Sequence, residues 1–212
     1  MGLEKSAIVA AALKLLAEVG LEGLTLRRLA AELDVQAPAL YWHVRNKQEL
    51  LDEMAAAIIR PHLDRPPLTD PTQWREWLAD YARGERDMLN SYRDGARITA
   101  GTRPSPELFD MIEGMVAALE RVGFDVVEAG VGVFALSNYV GGFVLEEQAD
   151  RGRPDQPEEH PDIEAVTAAY PRLMAALNHL GDPQGDLAFE EGVRLVLDGM
   201  EARLRRSQGA AS

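Results

Sequence analysis

One stretch near the N-terminus, residues 24–51 (LTLRRLAAELDVQAPALYWHVRNKQELL), constrains this chain more than any other. It reads as a short helix, a turn of three or four residues, a second short helix and an aromatic-basic exit. Thr25 is an N-cap for the first helix, with Arg28 standing where a capping box would place Glu. Two closely crossing helices need a small residue where they touch, and Ala30 supplies it. Four residues on, the turn needs a residue that tolerates a left-handed backbone, and Asp34 meets that need. Six residues further, Leu40 pins the second helix to a core. Pro38 is tolerated only in a first turn, which predicts the second helix over about 36–42.

Such a helix-turn-helix suits the DNA major groove. Gln36, Ala37, Pro38, Ala39 and Tyr41 would face base edges, where Gln bonds adenine and Ala or Pro touches a thymine methyl. Tyr41, Trp42, His43, Arg45, Lys47 and the first-helix arginines Arg27 and Arg28 suit phosphate contacts, with Thr25 beside them. The bland reading of the same residues is an ordinary surface on three small helices.

The net charge of −13 opposes DNA binding until its distribution is considered. Residues 1–50 hold six basic and six acidic side chains, so all the excess negative charge lies after residue 50. An acidic body would be repelled from DNA everywhere except at a neutral head, which orients its approach. No apolar run in the sequence approaches a membrane span, and no charged-then-apolar signal segment opens the chain. The absence of cysteine excludes disulfides and thiolate metal sites. The expectation is a soluble cytoplasmic protein without cofactor or metal.

The rest of the pattern is helical, and no strand pattern or repeat occurs. Residues 5–19 carry apolar side chains at helical spacing and end at Gly20 as a C-cap. Asn46 caps a long helix, with Glu49 placed to complete a capping box. Pro61, Pro66, Pro67 and Pro71 then break the pattern. Further helices are expected at 72–92, 94–100, 105–122, 125–149, 161–179 and 184–206. The proline-rich segment 151–161 suggests a mobile loop. The pair Gly141-Gly142 suggests a bend or, more readily, a close helix–helix approach. The fold class is therefore all-α. A helix-turn-helix domain spans 1–50, a helical regulatory domain 51–206 and a disordered tail 207–212.

The run Tyr41-Trp42-His43-Val44, followed by Asn46-Lys47 and Leu50-Leu51-Asp52, resembles the TetR family of repressors. A second stretch, Tyr92-Arg93-Asp94-Gly95-Ala96 then Gly101-Thr102-Arg103-Pro104, is similar to the tetracycline-repressor-like branch. The likeness spans roughly residues 3–206. It implies a homodimer whose two heads bind a palindromic operator, with half-sites about 34 Å apart. It also implies a small-molecule effector in the C-terminal body, which moves the joining helix at about 46–63. Dimerisation would use helices 125–149 and 184–206, the latter through Leu187, Val193, Val196, Leu197, Met200 and Leu204.

The same resemblance implies an effector set of Leu63, Tyr81, Glu85, Thr99, Thr102, Arg103, Ile112, Met115, Val133, Asn138 and Glu146. The branch holds a magnesium–drug chelate through a histidine, and that position here is Thr99. Leu63 and Tyr81 replace polar drug contacts, Glu85 a phenylalanine, Met115 a glutamine and Asn138 a second histidine. Thr102 and Glu146 are retained. Loss of the nitrogen ligand argues against a tetracycline–magnesium sensor. An aromatic or polycyclic effector is expected instead. Glu85 and Glu146 would favour a cationic or hydroxyl-rich molecule, unless they pair with Arg93, Arg97 or Arg103. Rival readings are an effector-free or activating DNA-binding regulator, and an enzyme. His43, His62, His160 and His179 are scattered without motif partners, so no catalytic residue is assigned.

Overall fold

The computed structural model describes residues 4–152 and 163–210, and among them there is no strand. Three helices form the head: α1 (Lys5–Gly23) and the two short helices α2 (Leu26–Glu32) and α3 (Ala37–Tyr41). Helix α4 (Lys47–Leu63) leads out of it. The body follows as α5 (Trp74–Asn90), entered through a 3-10 turn at Pro71–Gln73, then α6 (Gly95–Ala100), α7 (Pro106–Val122) and α8 (Val126–Arg151). An outlying pair, α9 (Ile163–Ala169) and α10 (Pro171–Leu180), precedes α11 (Asp186–Ala210).

Local chemistry explains the head. Thr25 Oγ1 accepts from Arg28 N at 3.2 Å and starts α2. Asp34 takes the left-handed backbone (φ 52) that the turn requires. Leu40 is fully buried, and so are Ile8, Leu16, Leu24, Leu29, Leu50 and Met54. Each such side chain contributes about 1.5–3 kcal/mol. Asn46 caps α4 by accepting from Glu49 N, but the Glu49 carboxylate turns to Arg45 N at 2.7 Å rather than closing the box on Asn46. The head's apolar core does not stop at residue 50. It runs along α4 to Ile58 and takes in Ile98 of α6.

The body packs around α8, which lies against α5, α6, α7 and α11. Its core includes Leu78, Leu119, Leu136, Val140, Val144, Phe189, Val193 and Leu197. Buried charge fastens the layers. Glu147 is buried, receives Arg86 Nη2 at 2.7 Å and Asn90 Nδ2 at 2.8 Å, and so ties α8 to α5. Arg86 also lies over the Phe189 ring at 4.6 Å and reaches Asp186 at 2.8 Å, which brings in α11.

Several expectations change. Pro61 does not end its helix; it sits in the last turn of α4, where only two residues follow it and little is disrupted. The helix expected at 161–179 is two helices, because Tyr170 precedes Pro171 and leaves the helical region (φ −128, ψ 55). Helix α11 continues to Ala210, four residues into the expected disordered tail. Residues 153–162, which hold most of the expected loop and His160, lie outside the described residues. Of the α11 stripe, Val193, Leu197, Met200 and Leu204 are buried in the chain's own core, and Leu187 is exposed. No neighbour lies within 4 Å of where a Cβ on Gly141 or Gly142 would stand, so nothing within the chain packs closely on that pair. Finally, α8 is long and apolar enough to cross a membrane by length and composition. Only 28% of its most apolar stretch is buried within the chain, and Val127, Val131 and Phe134 stay exposed.

Candidate functional site

The head presents a compact exposed surface. Tyr41 is half exposed and Trp42 is 90% exposed, at the end of α3 where neither packs inward. Thr25, Arg27, Arg28, Gln36, Pro38 and Arg45 are exposed around them, while Ala37, Ala39, His43 and Lys47 are half-buried. Lys14 pairs with Glu32 and Lys5 with Glu53, so these four charges cancel in pairs. Among the described residues, Arg27, Arg28 and Arg45 have no ion pair. Lys47 Nζ donates to Leu21 O at 3.0 Å, so it anchors α4 to α1 and keeps two further donors.

A joint connects head to body. Helix α1 breaks at Gly20 (φ 67, ψ 175), and the body's Arg93 lies over it. Arg93 Nη1 donates to Ala17 O and Glu18 O, so a body side chain satisfies the end of a head helix. Asp94, itself left-handed at φ 56, accepts from Leu21 N at 2.8 Å. Arg97 bridges Asp94 and Glu22, at 3.0 and 2.6 Å. An open recess of about 900 Å³ lies along this seam between α1, α6 and α8.

A second cavity of about 570 Å³, open to solvent on one side and here called the inner cavity, lies in the body between the end of α4, α5 and α7. Leu63, Trp77, Tyr81, Met111 and Met115 line it, with Asp80, Asp87 and Asp110 among its polar groups. Behind its lining lies a cluster of buried polar side chains. The His62 and Tyr81 rings meet at 4.7 Å. Arg65 Nε donates to His62 Nδ1 at 3.2 Å, and Arg65 Nη1 donates to Asp80 O at 2.6 Å. Gly84 admits this guanidinium, because a Cβ there would stand 1.2 Å from Nη2. Glu85, one turn beyond Tyr81, accepts from Ser137 Oγ at 2.6 Å.

Two polar atoms buried behind this lining have no partner, namely His62 Nε2 and Glu85 Oε2. Burial pushes the Glu85 carboxyl up to about 7, although Ser137 and the Arg65 charge oppose it. Burial, with the Arg65 charge, pulls His62 down to about 4. Burial and the Glu85 charge raise the Tyr81 phenol.

The expected effector residues separate in the fold. Leu63, Tyr81 and Met115 line the inner cavity. Glu85 adjoins Tyr81, and its partner is Ser137 rather than an arginine. Thr99 Oγ1 donates to Gly95 O and Ala96 O, and Thr102 Oγ1 to Thr99 O, within their own turns. Val133 is buried in the body core and Ile112 packs against it. Arg103 and Asn138 are exposed. Glu146 opens on the head–body recess instead. None of Arg93, Arg97 or Arg103 pairs with Glu85 or Glu146 among the described residues, because Arg93 and Arg97 are engaged at the joint. The sequence reading missed His62, Arg65 and Ser137. Their only signal was a histidine and an arginine three residues apart at a helix end.

Comparison with known proteins bears on both regions. Residues 8–54 match the profile described as bacterial regulatory proteins, tetR family. Residues 66–204 match that of the tetracyclin repressor-like C-terminal domain. The tetracycline repressor protein class A from transposon 1721 of Escherichia coli is 41% identical over 202 residues, covering 95% of this chain and 92% of that protein. The class G repressor of Vibrio anguillarum is 42% identical over 205 residues, covering 96% and 95%. A solved structure of the class A repressor, in complex with 5a,6-anhydrotetracycline and magnesium, is 36% identical with a TM-score of 0.70, covering 95% of this chain and 99% of that one.

Proposed function

The chain belongs to the tetR family of bacterial regulatory proteins, and from that premise we propose how its two sites work together. It is a ligand-responsive, DNA-binding transcriptional repressor. The observation that carries the mechanism is α4. Its first turn holds Lys47 beside the exposed aromatic-basic face, and its last turn holds Leu63 on the inner cavity, with His62 buried beside it. Seventeen residues of helix span about 25 Å. A ligand that shifts the end of α4 also shifts the reading head, provided it binds the DNA-incompetent arrangement more tightly.

The assigned roles follow the chemistry. Gln36, Ala37, Pro38 and Ala39 meet base edges, with Tyr41 and Trp42 at the groove wall. Thr25, Arg27, Arg28, His43, Arg45 and Lys47 meet phosphates. The functional unit is a homodimer on a palindromic operator, acting in the bacterial cytoplasm. Exposed Val127, Val131 and Phe134 on α8 and Leu195 on α11 support this, because a lone subunit leaves that apolar face in water. Gly130, Gly141, Gly142 and Gly199 leave open space on the same two helices, which admits close approach of a second copy.

The donor set does not fit the magnesium of the class A complex. Thr99 directs its hydroxyl into its own helix, Glu146 faces the seam, and His62 Nδ1 is occupied by Arg65. Magnesium demands near-octahedral oxygen ligands. The effector is therefore an aromatic or polycyclic molecule that binds without a chelated metal. We assign no catalytic residue. An effector-free regulator is the second reading, and the inner cavity speaks against it.

The test is selection of operator DNA from a random pool with the purified protein. Enrichment of an inverted repeat with half-sites about one helical turn apart is expected. The double variant Tyr41→Ala with Lys47→Ala should weaken binding to it at least tenfold and leave the oligomeric state unchanged. No enrichment, or unchanged affinity of the variant, would overturn this placement of the reading surface.

A further inference from the structure

Resting on the reading of the inner cavity as an effector site, we propose that it recognises an aromatic molecule carrying a protonated amine, with Glu85 as the specificity-determining counter-charge. Glu85 Oε1 is satisfied by Ser137, but Oε2 is sealed from water and accepts nothing. A buried carboxylate oxygen without a donor costs roughly 1–3 kcal/mol or more, so such atoms persist where something else completes them. Among the described residues, only three buried side-chain atoms lack a partner, and two of the three flank Tyr81.

The second orphan defines the ligand further. Arg65 donates to His62 Nδ1, which leaves the imidazole hydrogen on Nε2. Just behind the lining residues Leu63, Arg65, Tyr81 and Gly84, therefore, lie one buried acceptor at Glu85 and one buried donor at His62, which a ligand that displaces the Tyr81 ring would meet. A complementary ligand is flat, donates from a cationic nitrogen at one end and accepts at the other. Tyr81 and Trp77, which line the cavity, are aromatic surfaces against which a cation is attracted.

Charge at the mouth points the same way. Arg83 is neutralised by Glu76, Asp80 and Glu190. Arg65 is held between His62 and the Asp80 carbonyl. Asp87 and Asp110 remain at the mouth without an ion pair among the described residues. A cation approaching an acidic body meets a favourable field, and an anion meets repulsion. The opposing group is Arg65, whose charge faces Glu85 and reduces the net attraction without supplying a hydrogen bond.

Matched pairs of probes test this: 9-anthracenylmethylamine against 9-anthracenemethanol, and 1-pyrenylmethylamine against 1-pyrenemethanol. Each pair keeps one skeleton and exchanges an ammonium for a hydroxyl. Calorimetry at pH 7.5 on the full chain is expected to show each amine binding at least tenfold more tightly than its alcohol. Glu85→Gln should abolish that preference and leave alcohol binding within about threefold. Asp110→Asn, at the rim, should reduce it only slightly. Thermal melts of both variants report folding independently.

Equal binding of amine and alcohol, preference surviving in Glu85→Gln, or no binding of either amine would overturn the proposal. Operator release separates this from the broader reading. If the alcohols bind and release operator DNA, the effector-gated repressor stands and the cationic class is wrong. If amines bind with the expected preference yet never release DNA, the site is real and its coupling to the head is wrong.

Discussion

Glu85 and His62 are two buried titratable groups with opposite effects on stability. Glu85 in the fold holds its proton to about pH 7, against an ordinary value of 4.5. The folded state thus binds more protons than the unfolded state between those values, and stability falls as pH rises through that window. His62 is depressed to about 4 from 6.5, so its contribution is present above 6.5 and lost as pH falls towards 4. The two slopes oppose each other from about pH 4.5 to 6.5. Chemical denaturation of Glu85→Gln beside the parent chain should show a stability gain near zero at pH 4.5. It should reach on the order of 1–3 kcal/mol above pH 7. For His62→Phe, the gain over the parent should instead grow as pH falls below 6.5. A pH-independent difference in either case would mean that the group is not buried as described. Glu85 was legible as a candidate, but its partner was not. Ser137 lies 52 residues away, and no local pattern pairs them.

At the scale of elements, the joint between α1 and α6 decides whether the body can command the head. Arg93 completes the end of a helix that Gly20 interrupts, and Asp94 grips Leu21 N in the next turn. Arg93→Ala should leave effector affinity within about twofold, because the inner cavity does not use it. The ratio of operator affinities without and with effector should shrink several-fold, since coupling of this kind is typically 1–3 kcal/mol. Fluorescence anisotropy on labelled operator measures both, and an unchanged ratio would remove Arg93 from the coupling path. Gly20→Ala should destabilise the head by about 1–2 kcal/mol, because a residue with a Cβ resists that backbone. A melt unchanged from the parent would contradict the geometry. Sequence reasoning placed a cap at Gly20 but had no view of the body residue that uses it.

Taken as a whole, the molecule has an acidic body, a locally positive reading face and one apolar side left uncovered. Phe134→Glu combined with Leu195→Lys should convert a dimer to monomers in sedimentation velocity. Operator affinity should then fall by at least a hundredfold, because each head alone contacts one half-site. A variant that remains dimeric would place the interface elsewhere. The apolar stripe on α11 shows why this interface was only partly legible. Helical spacing reveals that one face avoids water, and it is silent on which chain covers it. Four of the six stripe residues are covered by this chain's own α8 and α5, and the exposed positions lie beside them.

The features legible in the sequence alone were those ruled by neighbours in the chain. The N-caps Thr25 and Asn46, the left-handed Asp34, the small Ala30 and the buried Leu40 obey constraints that act within a turn or two of backbone. The all-helical fold follows from the same short-range periodicity. The tertiary structure alone decided the pairing of Glu85 with Ser137, the separation of Glu146 from the inner cavity and the grip of Arg93 on α1. Each of these joins residues that are dozens of positions apart, brought together by packing of side chains from different helices. Contacts of that kind are set by the geometry of the packed core, and residue type by itself carries no record of it.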